Sequence, residues 1–303
     1  MTDYNKAQLF MEPETQQYGN HMVMTNVHKP VKTKHINVDT KFRDDYDYTQ
    51  PASFQISIPE RLNEVRSVKV TNVEIPMSFY NISANLGNNY FLITNATNTE
   101  LITLTDNQYD AVSLTTEFAT RLSASTHGKN ITITVTKNGK TTISTTDTTT
   151  ITIDFAVDKY GSSDKYNFKY KLGWFMGFRK TSYEVNNTTP TSSECMLDLS
   201  GPRYLYLAID EFNKGNQNSF ISPLSSSMIN KNIIARITMD TIGHPYGSIL
   251  PSNHGNGLLL SDNRCYTGKI DLQKLHVSLL NETGIPMMLN GNDFSFCLEA
   301  ICE

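Results

Sequence analysis

Apolar and polar residues alternate along most of this chain, most clearly from His35 to Ser83. Ile36 and Val38 share a face, and after Pro51 so do Phe54, Ile56 and Ile58. A spacing of two is the side-chain period of a half-buried strand. Val68 and Val70 continue the pattern, but Val73 and Ile75 fall out of phase with them. One extra residue near Thr71 and Asn72 restores the phase, which predicts a β-bulge in a long bent strand.

The same reading yields strands further on. Tyr90–Thr94 and Leu101–Thr105 flank Asn98 as a hairpin. Ile131, Ile133 and Val135 line one face before a turn at Asn138-Gly139. Ile151, Ile153 and Phe155 follow a Thr-rich run, where Thr acts as an exposed β-former. Tyr204–Phe212 is apolar on both faces and predicts a central strand. Ile233–Met239, Leu275 to Leu279 and Phe294 to Leu298 predict three more, the last ending near Cys302. One helix is expected over about Ala111 to Ser125. Leu114, Phe118 and Leu122 recur there at spacing four with Val112 and Ala119 beside them, Asp110 is its N-cap, and Gly128 lies beyond its end. Lys171–Phe178 is the most apolar knot and holds Trp174, the single Trp. Its two glycines predict a tight bend or a close backbone approach.

About a dozen strands, one helix and no βα alternation argue against a parallel α/β sheet. The expected fold is all-β: an antiparallel jelly-roll (Greek-key) β-sandwich with one short helix and an extended N-terminal arm. The arm covers residues 1–33, and the jelly-roll domain with elaborated loops covers 34–303. Leu9, Phe10, Met11, Met22 and Met24 make the arm more apolar than a free tail needs. It reads either as a loose terminus or as a segment that orders on a neighbouring subunit.

Composition narrows the function. Charged residues are 18% of the chain and the net charge is −4 with a pI near 6.0. No strong field is available to attract nucleic acid. Cys195, Cys265, Cys297 and Cys302 lack zinc-type spacing and read as reduced thiols, some of them buried. The N-terminal residues show no secretory pattern, and no apolar run approaches the roughly 20 residues that span a bilayer.

Candidate chemistry is sparse. No nucleophile elbow, phosphate loop, dinucleotide fingerprint or zinc-protease motif is present. His244 and His254 sit in Gly-rich segments, either as a metal or acid/base pair or as part of a long surface loop, and the loop reading is preferred. Asp44, Asp45 and Asp47, and separately Asp210 and Glu211, carry enough charge to suggest Ca²⁺ but not the spacing of a calcium loop. Both groups read as solvated turns. Tyr46, Tyr48, Phe79 and Tyr80 fit a sugar-stacking platform or ordinary packing. No catalytic, cofactor or metal residue is assigned. A carbohydrate-binding β-sandwich for host attachment is the alternative to a structural role, and a β-sandwich hydrolase ranks third.

The order of HINVDTKFRDDY, VRSVKVTNVEIPMSFYNIS, NNYFLIT, the helix after Tyr109, KLGWFMGF, GPRYLYLAIDEF and the closing KIDLQKLHVSLLNETGIPMMLNGNDFSFCLEA resembles a known family. Over about Lys34 to Glu303 it is similar to minor capsid and penton-type jelly-roll proteins of large icosahedral double-stranded DNA viruses of eukaryotes. The charge balance implies no nucleic-acid partner, and the resemblance implies a virion component without catalytic residues, assembled in the host cytoplasm. It implies contacts with major capsid protein and other minor capsid proteins, proximity to an inner viral membrane, and a pentamer if the chain sits at the fivefold vertex.

Overall fold

The computed structural model describes residues 30–43, 46–47, 52–96, 98–212 and 232–303, together with the backbone of 14–18 and 22–26. The side chains singled out in the arm lie outside the described residues, as do Asp44, Asp45 and Tyr48. Within the arm, β1 (Glu14–Tyr18) and β2 (Met22–Asn26) pair antiparallel, a hairpin that the sequence pattern does not announce.

Eight strands build the larger core: β3 (Lys32–Asp39), β4 (Ser53–Pro76), β12 (Tyr204–Asp210), β13 (Ile233–Thr238), β14 (Ile249–Asn253), β15 (Leu259–Ser261), β16 (Arg264–Leu280) and β17 (Ser295–Cys302). All their pairings are antiparallel, and β4 organises them. Its first part pairs with β16, which pairs with β12, which pairs with β13. Its last part has β17 on one side and β14 on the other, and β17 pairs on to β3. The single 24-residue strand therefore belongs to two sheet halves, β13-β12-β16-β4 and β3-β17-β4-β14. This is a jelly-roll pairing. Leu205, Leu207, Val277 and Leu279 from one half meet Val73, Ile75, Phe296 and Leu298 from the other in one buried cluster.

Two irregularities let β4 make the transfer. Opposite β17, Cys297 pairs with Asn72 and Leu298 with Val70, so Thr71 is the extra residue of a bulge, where the sequence phase predicted one. The Thr71 hydroxyl donates to the Cys297 carbonyl at 3.2 Å. The bulge puts Val68 and Val70 in the same core as Val73 and Ile75. At Glu64 the backbone turns to φ 54°, a conformation costly for a side-chain-bearing residue, and the Glu64 N–H donates to Asp271.

Between β4 and β12, residues 82–199 gather around a second core. It contains β5 (Tyr90–Asn95), β6 (Asn98–Thr103), β9 (Ile151–Asp154) and β10 (Ser182–Val185) in one sheet. A second sheet holds β7 (Ile131–Val135), β8 (Lys140–Thr145) and β11 (Thr191–Met196). Helix α1 (Ala111–Ala124) packs Leu114, Phe118 and Leu122 into this core. Each such burial is worth about 1.5–3 kcal/mol. Val112 and Ala119, expected beside that face, are exposed; three residues at spacing four complete the buried stripe. The helix starts with a capping box: the Asp110 carboxylate accepts from the Ser113 N–H, and the Ser113 hydroxyl accepts from the Asp110 N–H.

The Lys171–Phe178 knot forms a second short helix, α2 (Leu172–Phe175), beyond the one helix expected. Its glycines permit close approach: a Cβ on Gly173 would collide with the Phe155 ring, and one on Gly177, at φ +91°, with the Cys195 carbonyl. Phe155 and Phe178 then stack at 5.1 Å. Strand β12 is central, between β13 and β16, as its two-sided apolarity predicts. Its outward residues Tyr206 and Ala208 are also buried, with Ile233 and Leu280.

Candidate functional site

The chain leaves the jelly roll at Met77 and returns near Arg203, and buried amides clamp this crossing. Asn81 donates to the carbonyls of Tyr109 and Leu199, both at 2.8 Å, and accepts from the Tyr109 N–H at 2.9 Å. The Ser78 hydroxyl donates to the Leu289 carbonyl, and Asn290 donates back to the Ser78 carbonyl. Asn88 donates to the Asn81 carbonyl and accepts from the Ser83 N–H.

These clamps frame a cavity of about 430 Å³ between the two cores. Phe79, Tyr80, Tyr170 and Phe175 supply aromatic walls, and Met287 and Met288 close one side. Its charged lining is Asp106, Asp164, Lys171 and Glu282. Lys171 is buried, with its Nζ 2.9 Å from Asp164 and donating to the Tyr90 hydroxyl at 3.2 Å. Burial alone would push the Lys171 ammonium down, but its contacts to Asp164 and Tyr90 outweigh that and hold it above its ordinary value. Burial likewise works against the Asp164 carboxylate, and its bonds from Lys171 and Asn167 hold it below the usual range. Glu282 behaves oppositely: burial raises it, the Asp198 charge adds to that, and contact with Arg203 only partly offsets the two.

The candidates read from sequence do not converge. His244 Nδ1 lies 3.5 Å from Asp240, four residues back, while His254 sits in the turn after β14. Phe79 is core, Tyr80 stacks on Tyr246 at 6.3 Å, and Tyr46 lies under the Arg43 guanidinium at 4.8 Å. Asp47 accepts from Arg43 through its carbonyl. Among the described residues no three His, Cys, Asp or Glu side chains are placed to share a metal ion. All four cysteines are free thiols: Cys302 is buried, Cys297 half-buried, and Cys195 and Cys265 exposed.

Glu211 corrects the sequence reading, which placed it in a solvated turn. It is buried, and it accepts from Arg264 Nη1 at 2.8 Å and from the Tyr266 hydroxyl at 2.7 Å. Arg264 is fully buried and also donates to the carbonyls of Ile209 and Asn232. Burial and the adjacent Glu211 charge push the Tyr266 phenol strongly up. The signal was present in the apolar run that precedes Glu211: a strand buried on both faces carries the next residue into the interior.

No protein-family profile matches the chain, and no curated protein does. Among solved structures it is similar to the crystal structure of the selenomethionine-labelled mavirus penton protein. The identity is 11%, covering 90% of this chain and 99% of that chain, with a TM-score of 0.44. It is similar also to a cryo-EM structure of the Sputnik virophage, at 13% identity, 91% and 98% coverage, and a TM-score of 0.41. The strand pairing by itself defines the jelly roll.

Proposed function

We propose that this chain is a structural, non-enzymatic subunit of an icosahedral virus capsid. In this reading it is a minor capsid protein at the fivefold vertices or lining the facets. The observation that carries the reading is the jelly-roll pairing from β3 to β17, the fold implied by the sequence resemblance over Lys34 to Glu303. Fold alone hosts many functions, so the contacts must bear the rest. Ile242, Tyr246 and Ile249 are exposed within residues 242–249, beside β14, and Leu260 is exposed on the edge strand β15. Apolar side chains at sheet edges suit subunit contacts that are many and individually modest. The chain then binds major capsid protein and other minor capsid proteins, and the arm, expected over residues 1–33 but giving up Lys32 and Thr33 to β3, lies over a neighbour.

The test is sedimentation of particles from producing cells that express tagged full-length chain or a chain lacking residues 1–31. The full chain should travel with the shells at a fixed ratio to major capsid protein, and the truncated chain should fold but incorporate less. Shells that form while the full chain stays in the soluble fractions would overturn the proposal.

A further inference from the structure

We propose that the cavity between the two cores binds an organic cation, an ammonium head on a short apolar stem, with Glu282 as its counter-charge. The site stands independently of the capsid reading. Its volume of about 430 Å³ suits a small ligand, and a junction between two packed units is a common place for one. Three carboxylates and one ammonium line it, and that ammonium, Lys171, is already committed to Asp164. Asp106 is occupied by the Ala84 N–H and the Asn89 amide. Glu282 accepts from the Arg203 backbone N–H at 3.1 Å, while the Arg203 guanidinium is turned to Asp198 at 3.4 Å. Among the described residues Glu282 forms no ion pair, and the Arg203 charge offsets its burial only in part, so the wall keeps a carboxylate whose countercharge is incomplete.

The aromatic lining of Phe79, Tyr80, Tyr170 and Phe175 favours a cation, and Met287 and Met288 favour its apolar stem. A neutral sugar fits less well, because the amides of Asn81 and Asn88 are spent on the backbone. The charged and titratable groups that face Glu282 are Arg203 and Asp198 from the return crossing and Tyr204 from β12. Because burial holds its proton on, cation binding should strengthen as pH rises through the titration of Glu282.

Calorimetric titration of the full chain with n-butylammonium, with Nα-acetyl-lysine amide and with uncharged n-butanol tests this. At least one cation should bind saturably, with n-butanol about tenfold weaker or worse. Tighter n-butylammonium indicates a free amine as the natural ligand; tighter acetyl-lysine amide indicates a lysine side chain of a partner. Glu282→Gln should weaken the cation about tenfold, the scale of one charge-assisted contact. Tyr170→Leu, at an exposed position, should weaken it about threefold. No saturable cation binding, equal binding of n-butanol, or unchanged affinity in a folded Glu282→Gln overturns the proposal. Should that variant fail to fold, unchanged affinity in Tyr170→Leu overturns it.

Discussion

Replacing Glu211 with Gln keeps the shape of the side chain and removes its charge. The Arg264 guanidinium would then lie in the jelly-roll core without its counterion, since the side chains of both partners are essentially inaccessible (0% and 1% exposed). Breaking a buried pair in this way costs about 3–5 kcal/mol. The Gln carbonyl can still accept from Arg264 and Tyr266, so the low end, about 3 kcal/mol, is expected. Arg264→Met should cost at least as much, because it strands the carboxylate and also leaves the carbonyls of Ile209 and Asn232 unpaired, at about 1–3 kcal/mol each. The double variant removes both charges, so the cycle should show a coupling of about 2 kcal/mol or more. Denaturant unfolding supplies the assay with two probes. Far-UV circular dichroism follows all the sheets, whereas fluorescence of Trp174 reports the second core. The dichroism transition should shift more than the fluorescence transition. A coupling within about 0.5 kcal/mol of zero, or a Glu211→Gln cost below about 1 kcal/mol, would show that Glu211 and Arg264 do not act as a buried pair.

Deleting Thr71 removes the extra residue of the bulge and leaves Val73 and Ile75 on the face of Val68 and Val70 in a regular strand, so the fold should survive it. Retained cooperative unfolding is the expected outcome, and its loss would show that the bulge does more than keep the two phases of β4 on one face. Gly177→Ala combines a left-handed backbone with a Cβ driven against the Cys195 carbonyl and should cost at least about 2 kcal/mol by denaturation, against near-neutral Gly268→Ala, where nothing lies within reach. Burial first, and its hydrogen bond to Glu194 second, push the Tyr183 phenol up from 10 to about 12. The folded chain therefore keeps a proton that the unfolded chain loses. This contribution is complete below pH 10 and is lost as pH rises toward 12, and Tyr183→Phe should flatten stability over that window.

Much of the scaffold was legible because a period of two is written into the residues. Phe54, Val68 and Val70 announce β4, the phase break announces the Thr71 bulge, and Tyr204–Asp210 announces a strand with neighbours on both sides. Four of the strands were not legible. β10 (SYEV) and β11 (TSSECM) are too short and polar to show a period. β14 (ILPSN) carries Pro251, and β15 has three residues. They exist because distant partners supply their hydrogen bonds, as β8 does for β11. The grouping of 82–199 around its own core was equally hidden, since both cores use the same alternation. The cavity has no local motif. Its walls come from the crossing after β4, the knot and the loop after β16, segments up to about 200 residues apart that only the clamps at Asn81 and Ser78 bring together.

The most direct test of the capsid role is a cryo-EM reconstruction of particles purified from the source of this chain. Density for the jelly roll, with its 24-residue β4, is expected at the fivefold vertices or against the facets, in contact with major capsid protein. Ordered shells in which every vertex and facet position is filled by other chains would contradict it.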